Sequence, residues 1–506
     1  MDDLRQPPRF HNQVIIYAVG QALNYGIGFF LLPLYSRLMP AEQYGILEII
    51  NRTIEITAIL LLTQFAVAFI RFYRDKPDVE HRRLVTSTCI YLVAGVSLVM
   101  GGAMALAREQ LSLLLFQSDG YSAYFGLAAI KYVTGMAYII PLVYFQAREE
   151  PGKYIVISAA SFGGQLGLNI LLLYLKDDKV AAVLMASIIA HSVFLLTVGT
   201  WVFLRSARRF SMKIAKQLIS FSWSFTFLGV YAFIFTNGDR YFLNEFCGKT
   251  ATGLYAFGYK LAMVLYAFVY APIIRAWNAK MVDVMRRPDG EARLARLASY
   301  ALLLYSFVGL SMAIYSREII GILMDPRYFD SYRIVPVVLL AYAFAGMAVF
   351  FDTSLYISKH TYLKIWNFIT TAGCLILYYL LIPRYCGIGA AWATVGTYIL
   401  VAVAAWIYAQ CTLPVSYEFK KMAMILMPAI AMYALNVELE DRFAEEWSLI
   451  ALLAAKAGLV LFYVGTMFLL RVVEPEDMDR LREMAGELRG RFSSRDRDLP
   501  TSPPLD

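Results

Sequence analysis

Tyr44-Gly45-Ile46-Leu47 opens one apolar run, and Thr252-Gly253-Leu254-Tyr255 opens another 208 positions later; seven residues after each glycine stands a cation, Arg52 and then Lys260. The correspondence continues outward. Ala107-Arg108-Glu109-Gln110 and Ser316-Arg317-Glu318-Ile319 each leave an apolar run at an offset of 209, and Val180-Ala181-Ala182 and Ile388-Gly389-Ala390-Ala391 each begin one at an offset of 208. Independent coincidences would not hold one register over such a length, so the chain is read as an internal repeat. Six apolar runs separate the copies. An even number leaves both copies in the same orientation, related by an axis along the membrane normal. The expected organisation is an N-terminal lobe over 1–208, a C-terminal lobe over 209–416, two extra helices over 417–470 and a tail over 471–506.

Composition fixes the solvent. Of 506 residues, 59% are hydrophobic and only 17% charged, more apolar surface than a soluble core could bury. Together with a mean hydropathy of +0.56 this excludes a soluble enzyme. The expected fold is all-α and polytopic, with fourteen spans at approximately 13–35, 46–70, 84–107, 121–146, 154–175, 180–204, 217–243, 253–276, 297–316, 334–357, 365–382, 388–410, 421–436 and 448–470. The first lacks a small-residue cleavage site and is read as a retained helix. Counted on alternate sides of these spans, Lys and Arg divide 31 to 11, which places both termini in the cytoplasm. The net charge of +8 is then topological, and no nucleic-acid partner is expected, although the same loops can meet anionic lipid headgroups. The tail mixes charges through Arg491 as a surface helix and then turns rich in Ser, Pro and Asp, a disordered composition.

Cys89, Cys247, Cys374, Cys386 and Cys411 form no CxxC pair, and this odd, mostly intramembrane set argues against a disulfide framework. His11, His81, His191 and His360 share no ligand spacing, so neither a metal site nor a cofactor is expected. Gly26, Gly28, Pro33, Pro141 and Pro272 lie inside spans, where they either allow kinks that help lobes move or permit close helix packing.

Gly28-Phe29-Phe30-Leu31-Leu32-Pro33-Leu34-Tyr35-Ser36-Arg37 followed by Glu42-Gln43-Tyr44-Gly45, then Asp239-Arg240, Gly253-Leu254-Tyr255 with Lys260, and Ser316-Arg317-Glu318-Ile319-Ile320 carry a family resemblance. On these residues the chain resembles the polysaccharide transporter family, the Wzx-type oligosaccharide flippases of the multidrug/oligosaccharidyl-lipid/polysaccharide exporter superfamily. The resemblance covers nearly all of the hydrophobic chain. It implies a two-lobe exporter, not an enzyme, that carries an undecaprenyl-pyrophosphate-type lipid-linked oligosaccharide from the cytoplasmic to the periplasmic leaflet of a bacterial inner membrane by alternating access. The implied setting is cell-surface polysaccharide synthesis, such as O-antigen, lipopolysaccharide or exopolysaccharide, with coupling to protons or sodium and with polymerase and glycosyltransferase partners.

Charges inside the spans point to a site. If Arg52, Lys131, Lys260 and Lys456 all faced lipid, insertion would cost roughly 10 to 14 kcal/mol, so an interior position is expected for each. A pyrophosphate headgroup suits several converging cations, and Arg37, Arg52, Arg240 and Lys260 are the candidate substrate ligands. Lys131 and Lys456 are further cavity cations. A competing reading stands beside this for Arg52: Glu48, Arg52 and Glu55 share one helical face, so the guanidinium can be neutralised locally. Glu48, Glu55, Asp239 and Asp352 are candidates for ion coupling or for static pairing, with Lys359 near Asp352. Among the aromatics, Tyr17, Tyr25, Phe29, Tyr231, Phe235, Tyr255 and Tyr259 offer stacking surfaces for sugars or simple packing. Two other functions compete. A multidrug exporter shares the architecture but calls for acidic groups in the cleft, whereas a membrane-embedded polymerase or glycosyltransferase needs a larger extracytoplasmic region than these short loops supply.

Overall fold

The structure is a computed structural model that describes residues 31–61, 65–353, 363–412, 414–443 and 446–472. The expectations at Tyr17, Tyr25, Gly26, Gly28, Phe29, His11, Lys359 and His360, and those for the tail beyond residue 472, lie outside the described residues. Within them the chain is helical and contains no strand. The helices are α1 (Leu32–Leu38), α2 (Ala41–Leu61), α3 (Phe65–Arg74), α4 (Val79–Leu106), α5 (Arg108–Phe116), α6 (Ser122–Ala147), α7 (Pro151–Leu175), α8 (Lys179–Phe194) and α9 (Thr200–Leu204). They continue with α10 (Met212–Leu265), α11 (Ala271–Met285), α12 (Gly290–Ile314), α13 (Ser316–Leu323), α14 (Ile334–Phe351), α15 (Leu363–Thr412), α16 (Phe419–Phe443) and α17 (Leu449–Leu469).

Among the described residues, 11 segments are long and apolar enough to cross a membrane. Two of them are double length, Met212–Met285 at 74 residues and Trp366–Thr412 at 47, and each covers two of the expected spans. The segments therefore coincide with thirteen of the fourteen expected spans, and the first span lies outside the described residues as far as residue 30. Their outer faces are apolar: Val156, Leu171 and Leu175 of α7 are all more than half exposed. A contiguous surface of that kind belongs against lipid. Polar caps start several spans, as where Asp78 accepts from the His81 amide at 2.9 Å and Asp178 from the Ala181 amide at 3.0 Å.

The two long helices are each broken once. Gly248, with φ of 82°, interrupts α10, and Cys386, with φ of 48°, interrupts α15. The chain folds back at each break, because the Tyr255 hydroxyl donates to Asp239 across the first and the two sides of the second meet where Gly389 lies against the Leu381 carbonyl. A disulfide joins Cys247 to Cys386 and so ties the two breaks together. This corrects the expectation drawn from cysteine count and spacing. The partners are 139 residues apart and become neighbours only because both turns end on the same side of the helices. Cys89 and Cys374 are buried thiols and Cys411 is an exposed one.

The described chain forms two compact units. The first holds the described residues up to Trp277 together with those of Tyr315–Pro414, and so takes in parts of both expected lobes. Here α2 packs along α10, and the segment Pro326–Arg333 docks on the hairpin that follows α1. In that docking the Asp325 amide donates to the Ser36 hydroxyl at 3.1 Å and the Tyr328 hydroxyl donates to the Met39 carbonyl at 3.1 Å. The second unit comprises Asn278–Ile314 and the described residues from Val415 onward. Pro33 lies in the first turn of α1, Pro141 inside α6 and Pro272 at the start of α11.

Candidate functional site

Helical spacing places Glu48, Arg52 and Glu55 on one face of α2, and the reversal at Gly248 brings Arg240 and Lys260, from either side of the break, up to that face. Glu48 is the centre. Its carboxylate accepts from Arg52 Nε at 2.9 Å, from Arg240 Nε at 3.3 Å and from Lys260 Nζ at 3.0 Å. The side chain is only 2% exposed, and the three surrounding cations supply the partners that a buried carboxylate requires. Around the hub, Arg52 also pairs with Glu55, and Arg240 with its neighbour Asp239 at 2.8 Å. The Tyr255 hydroxyl donates to the other Asp239 oxygen. Lys260 donates to the Tyr44 hydroxyl at 2.6 Å, and the Arg240 guanidinium lies 4.4 Å from the Tyr259 ring centre. Lys131 of α6 adjoins the cluster by donating to Asn51 Oδ1 at 2.7 Å.

The arrangement has an inside and an outside. Arg240 and Asp239 are sealed with Glu48, whereas the side chains of Arg52 and Lys260 remain 20% and 23% exposed. Arg52 spends one nitrogen on each of two carboxylates and Lys260 spends two of its three donors. Both therefore keep N–H groups for a ligand on the open side. Four cations, Arg52, Lys131, Arg240 and Lys260, stand with three carboxylates, Glu48, Glu55 and Asp239, which leaves a surplus of one positive charge.

Other expected residues are placed elsewhere. Arg37 is exposed, stands outside the cluster and offers its carbonyl to Arg327 at 3.1 Å. Asp352 caps the end of α14, where its amide donates to the Ala348 carbonyl at 2.8 Å. Lys456 belongs to the second unit: it is fully buried, pairs with Glu440 and donates to the Ile314 carbonyl at 3.0 Å. Of the aromatics, Tyr255 and Tyr259 line the Arg240 guanidinium, while Tyr231 bonds the Thr370 hydroxyl at 3.2 Å. Tyr44, Asn51 and Asn237 are cluster members that charge-based reasoning missed. Tyr44 did carry a signal, since it immediately precedes the repeat glycine. Among the described residues no group of three or more His, Cys, Asp or Glu is placed to hold a metal ion.

Residues 10–278, which include the whole cluster, match the model of a family described as "Polysaccharide biosynthesis protein". The chain belongs to that family. Its fold is similar to that of a solved structure titled "Lipid II flippase MurJ, inward closed conformation", with a TM-score of 0.69, 14% identity, and coverage of 90% of this chain and 100% of that one. It is also similar to the Vibrio cholerae MATE transporter VcmN, with a TM-score of 0.54, 14% identity, and coverage of 80% of this chain and 96% of that one. A third likeness is to an inward-facing multidrug resistance MATE family transporter of the MOP superfamily, with a TM-score of 0.54, 13% identity, and coverage of 83% and 96%. No curated protein matches the chain in sequence. The chain thus shares the polytopic helical fold of these solved structures.

Proposed function

We propose that this chain is a flippase that carries a lipid-linked oligosaccharide, joined to its lipid through pyrophosphate, from the cytoplasmic to the periplasmic leaflet of a bacterial inner membrane. The single observation that carries the reading is the capture of Arg52 and Lys260, the two cations at matched repeat positions, by one buried carboxylate that leaves both partly open. Glu48 holds them from behind. A pyrophosphate entering from the open side takes the N–H groups that Arg52 and Lys260 leave uncommitted, in charge-assisted hydrogen bonds that partly replace its hydration. The surplus positive charge favours an anionic substrate over the lipophilic cations of a multidrug exporter.

In this reading the two repeat lobes rock against one another about the α2–α10 contact, and binding or release of the pyrophosphate shifts the balance between the two states. Both termini lie in the cytoplasm. Coupling to a proton or sodium gradient involves the carboxylates of the same cluster, and the chain performs no covalent chemistry. Its product feeds a surface polysaccharide, and the polymerase and glycosyltransferases of that pathway act beside it.

The test is glycan export in cells that lack the chromosomal copy. Arg52→Ala and Lys260→Ala each abolish export at normal membrane abundance, while Lys260→Arg retains part of it. Replacing Glu48, Arg52 and Glu55 together by Gln leaves export abolished. Recovery of export in that triple variant would overturn the substrate role of Arg52 and reduce it to a neutralising partner.

A further inference from the structure

The helix ends opposite the Glu48 cluster build a second constellation, on the face that the Lys and Arg count assigns to the cytoplasm. A cavity of about 570 Å³ lies between the ends of α3, α6 and α9 and the start of α4, and Arg74, Arg82, Arg83, Arg148, Arg205 and Glu149 line it. Five guanidiniums thus face one carboxylate. Aromatic rings hold several of them in place: Arg82 lies 5.5 Å from the centre of Tyr73, Arg148 5.5 Å from that of Tyr144 and Arg205 3.9 Å from that of Trp201. Tyr73 and Tyr144 are themselves buried and meet edge to face at 5.9 Å, which makes a rigid floor. Among the described residues only Arg74 and Arg148 of the five have a carboxylate partner, Glu149 at 3.0 Å and Glu150 at 2.8 Å. Arg82, Arg83 and Arg205 keep their charge available.

The same helices carry an apolar crevice of about 230 Å³, with Ile90, Ile140, Pro141, Leu195, Gly199 and Phe203 among its walls. It begins one helical turn deeper. Thr86 lines the arginine cavity and Ile90 the crevice, and Tyr144 and Ile140 repeat that relation on α6. Four residues of helix span about 6 Å, the step from a lipid phosphate toward its acyl chain. Two irregularities open the crevice. Pro141 removes a backbone donor inside α6, and the wider π turn at Leu195–Gly199 displaces the neighbouring helix surface.

We propose that the two cavities form one site for an amphiphile, in which the arginine pocket takes the anionic phosphate headgroup of a lipid and the crevice takes the first methylenes of its tail. Arginine forks suit phosphate oxygens, and the crevice rewards an attached hydrocarbon that free phosphate lacks. The site shares no residue with the Glu48 cluster and does not rest on the flippase reading. Its occupant is a phosphate-headed lipid, either a membrane phospholipid or a polyprenyl phosphate.

Native mass spectrometry of the full chain in detergent, titrated separately with phosphatidylglycerol, polyprenyl phosphate and inorganic pyrophosphate, tests the site. Arg82→Gln combined with Arg205→Gln, a pair whose removal orphans no carboxylate, weakens lipid binding about tenfold or more. Glu149→Gln strengthens it about threefold by removing the opposing charge. Tighter binding of phosphatidylglycerol identifies a membrane phospholipid as the occupant, and tighter binding of polyprenyl phosphate identifies the carrier-type lipid. Pyrophosphate binding that is as tight as either lipid and is lost in the Arg82→Gln, Arg205→Gln variant would overturn the role of the crevice. Unchanged lipid affinity in both variants would overturn the site, and if the double variant does not fold, unchanged affinity in Glu149→Gln alone does so.

Discussion

Gly45 and Gly253 lie against each other at the crossing of α2 and α10, and each meets the other's helix in the same way. A methyl group on Gly45 would stand 1.9 Å from the Lys249 carbonyl oxygen and 3.0 Å from the Gly253 amide nitrogen; one on Gly253 would stand 2.0 Å from the Ala41 oxygen and 3.1 Å from the Gly45 nitrogen. Each glycine thus faces the backbone carbonyl four residues before the other, a contact made once in each direction about a local two-fold. Backbone at that distance leaves no room for a side chain. Tyr44, next to Gly45, accepts from Lys260, so the crossing and the ion cluster are parts of one contact.

Alanine at Gly45 or at Gly253 therefore forces the helices apart. We expect each substitution to cost about 1 to 3 kcal/mol, as overpacking does in a rigid interior. Thermal unfolding of the purified protein checks this, and an unchanged melting temperature would show that the crossing is looser than described.

Removing the hub should cost more than removing any one spoke. Glu48→Gln leaves Arg240, which is 3% exposed, with Asp239 alone, and we expect a loss of about 3 to 5 kcal/mol. Glu55→Gln removes a carboxylate that is 41% exposed and should change stability by less than about 1 kcal/mol. Chemical denaturation of the two variants side by side measures the difference.

The buried pair of the second unit makes a separate forecast. Lys456→Met removes the cation paired with Glu440, which is 8% exposed, and should destabilise by about 3 kcal/mol, whereas Lys456→Met with Glu440→Gln recovers part of that loss. A double-mutant cycle reports the coupling, and strict additivity would mean that the two charges do not depend on one another.

Peptide mapping without reduction should recover Cys247 linked to Cys386, with Cys411 labelled by a thiol reagent and Cys89 and Cys374 protected until unfolding. Closing a separation of 139 residues restrains the unfolded chain, so Cys247→Ser should cost about 2 to 5 kcal/mol.

The bond also bears on orientation, because disulfides persist in oxidising compartments. A reporter fused after Lys249, two residues from Cys247, should read as periplasmic, and one fused after Pro500 as cytoplasmic. The reverse pattern would contradict both the cation count and the disulfide.

The amino-acid sequence by itself determined the solvent, the helical class and nearly every span, because hydropathy over about 20 residues is a property of a local window. It also determined that Arg52 and Lys260 occupy matched positions and that Arg52 shares a helical face with Glu48 and Glu55, since those relations follow from spacing along the chain. Tertiary structure decided the rest. Glu48 and Lys260 are 212 residues apart, and their meeting depends on where α10 folds back at Gly248 and on how each helix is rotated about its axis. A helix turns about 100° per residue, so a shift of one position moves a side chain to another face without changing the apolar pattern of the segment. That is why Arg240 turned inward while Arg37, another of the candidate substrate cations, stayed exposed, and why Cys247 and Cys386 found each other from two breaks that no spacing rule connects.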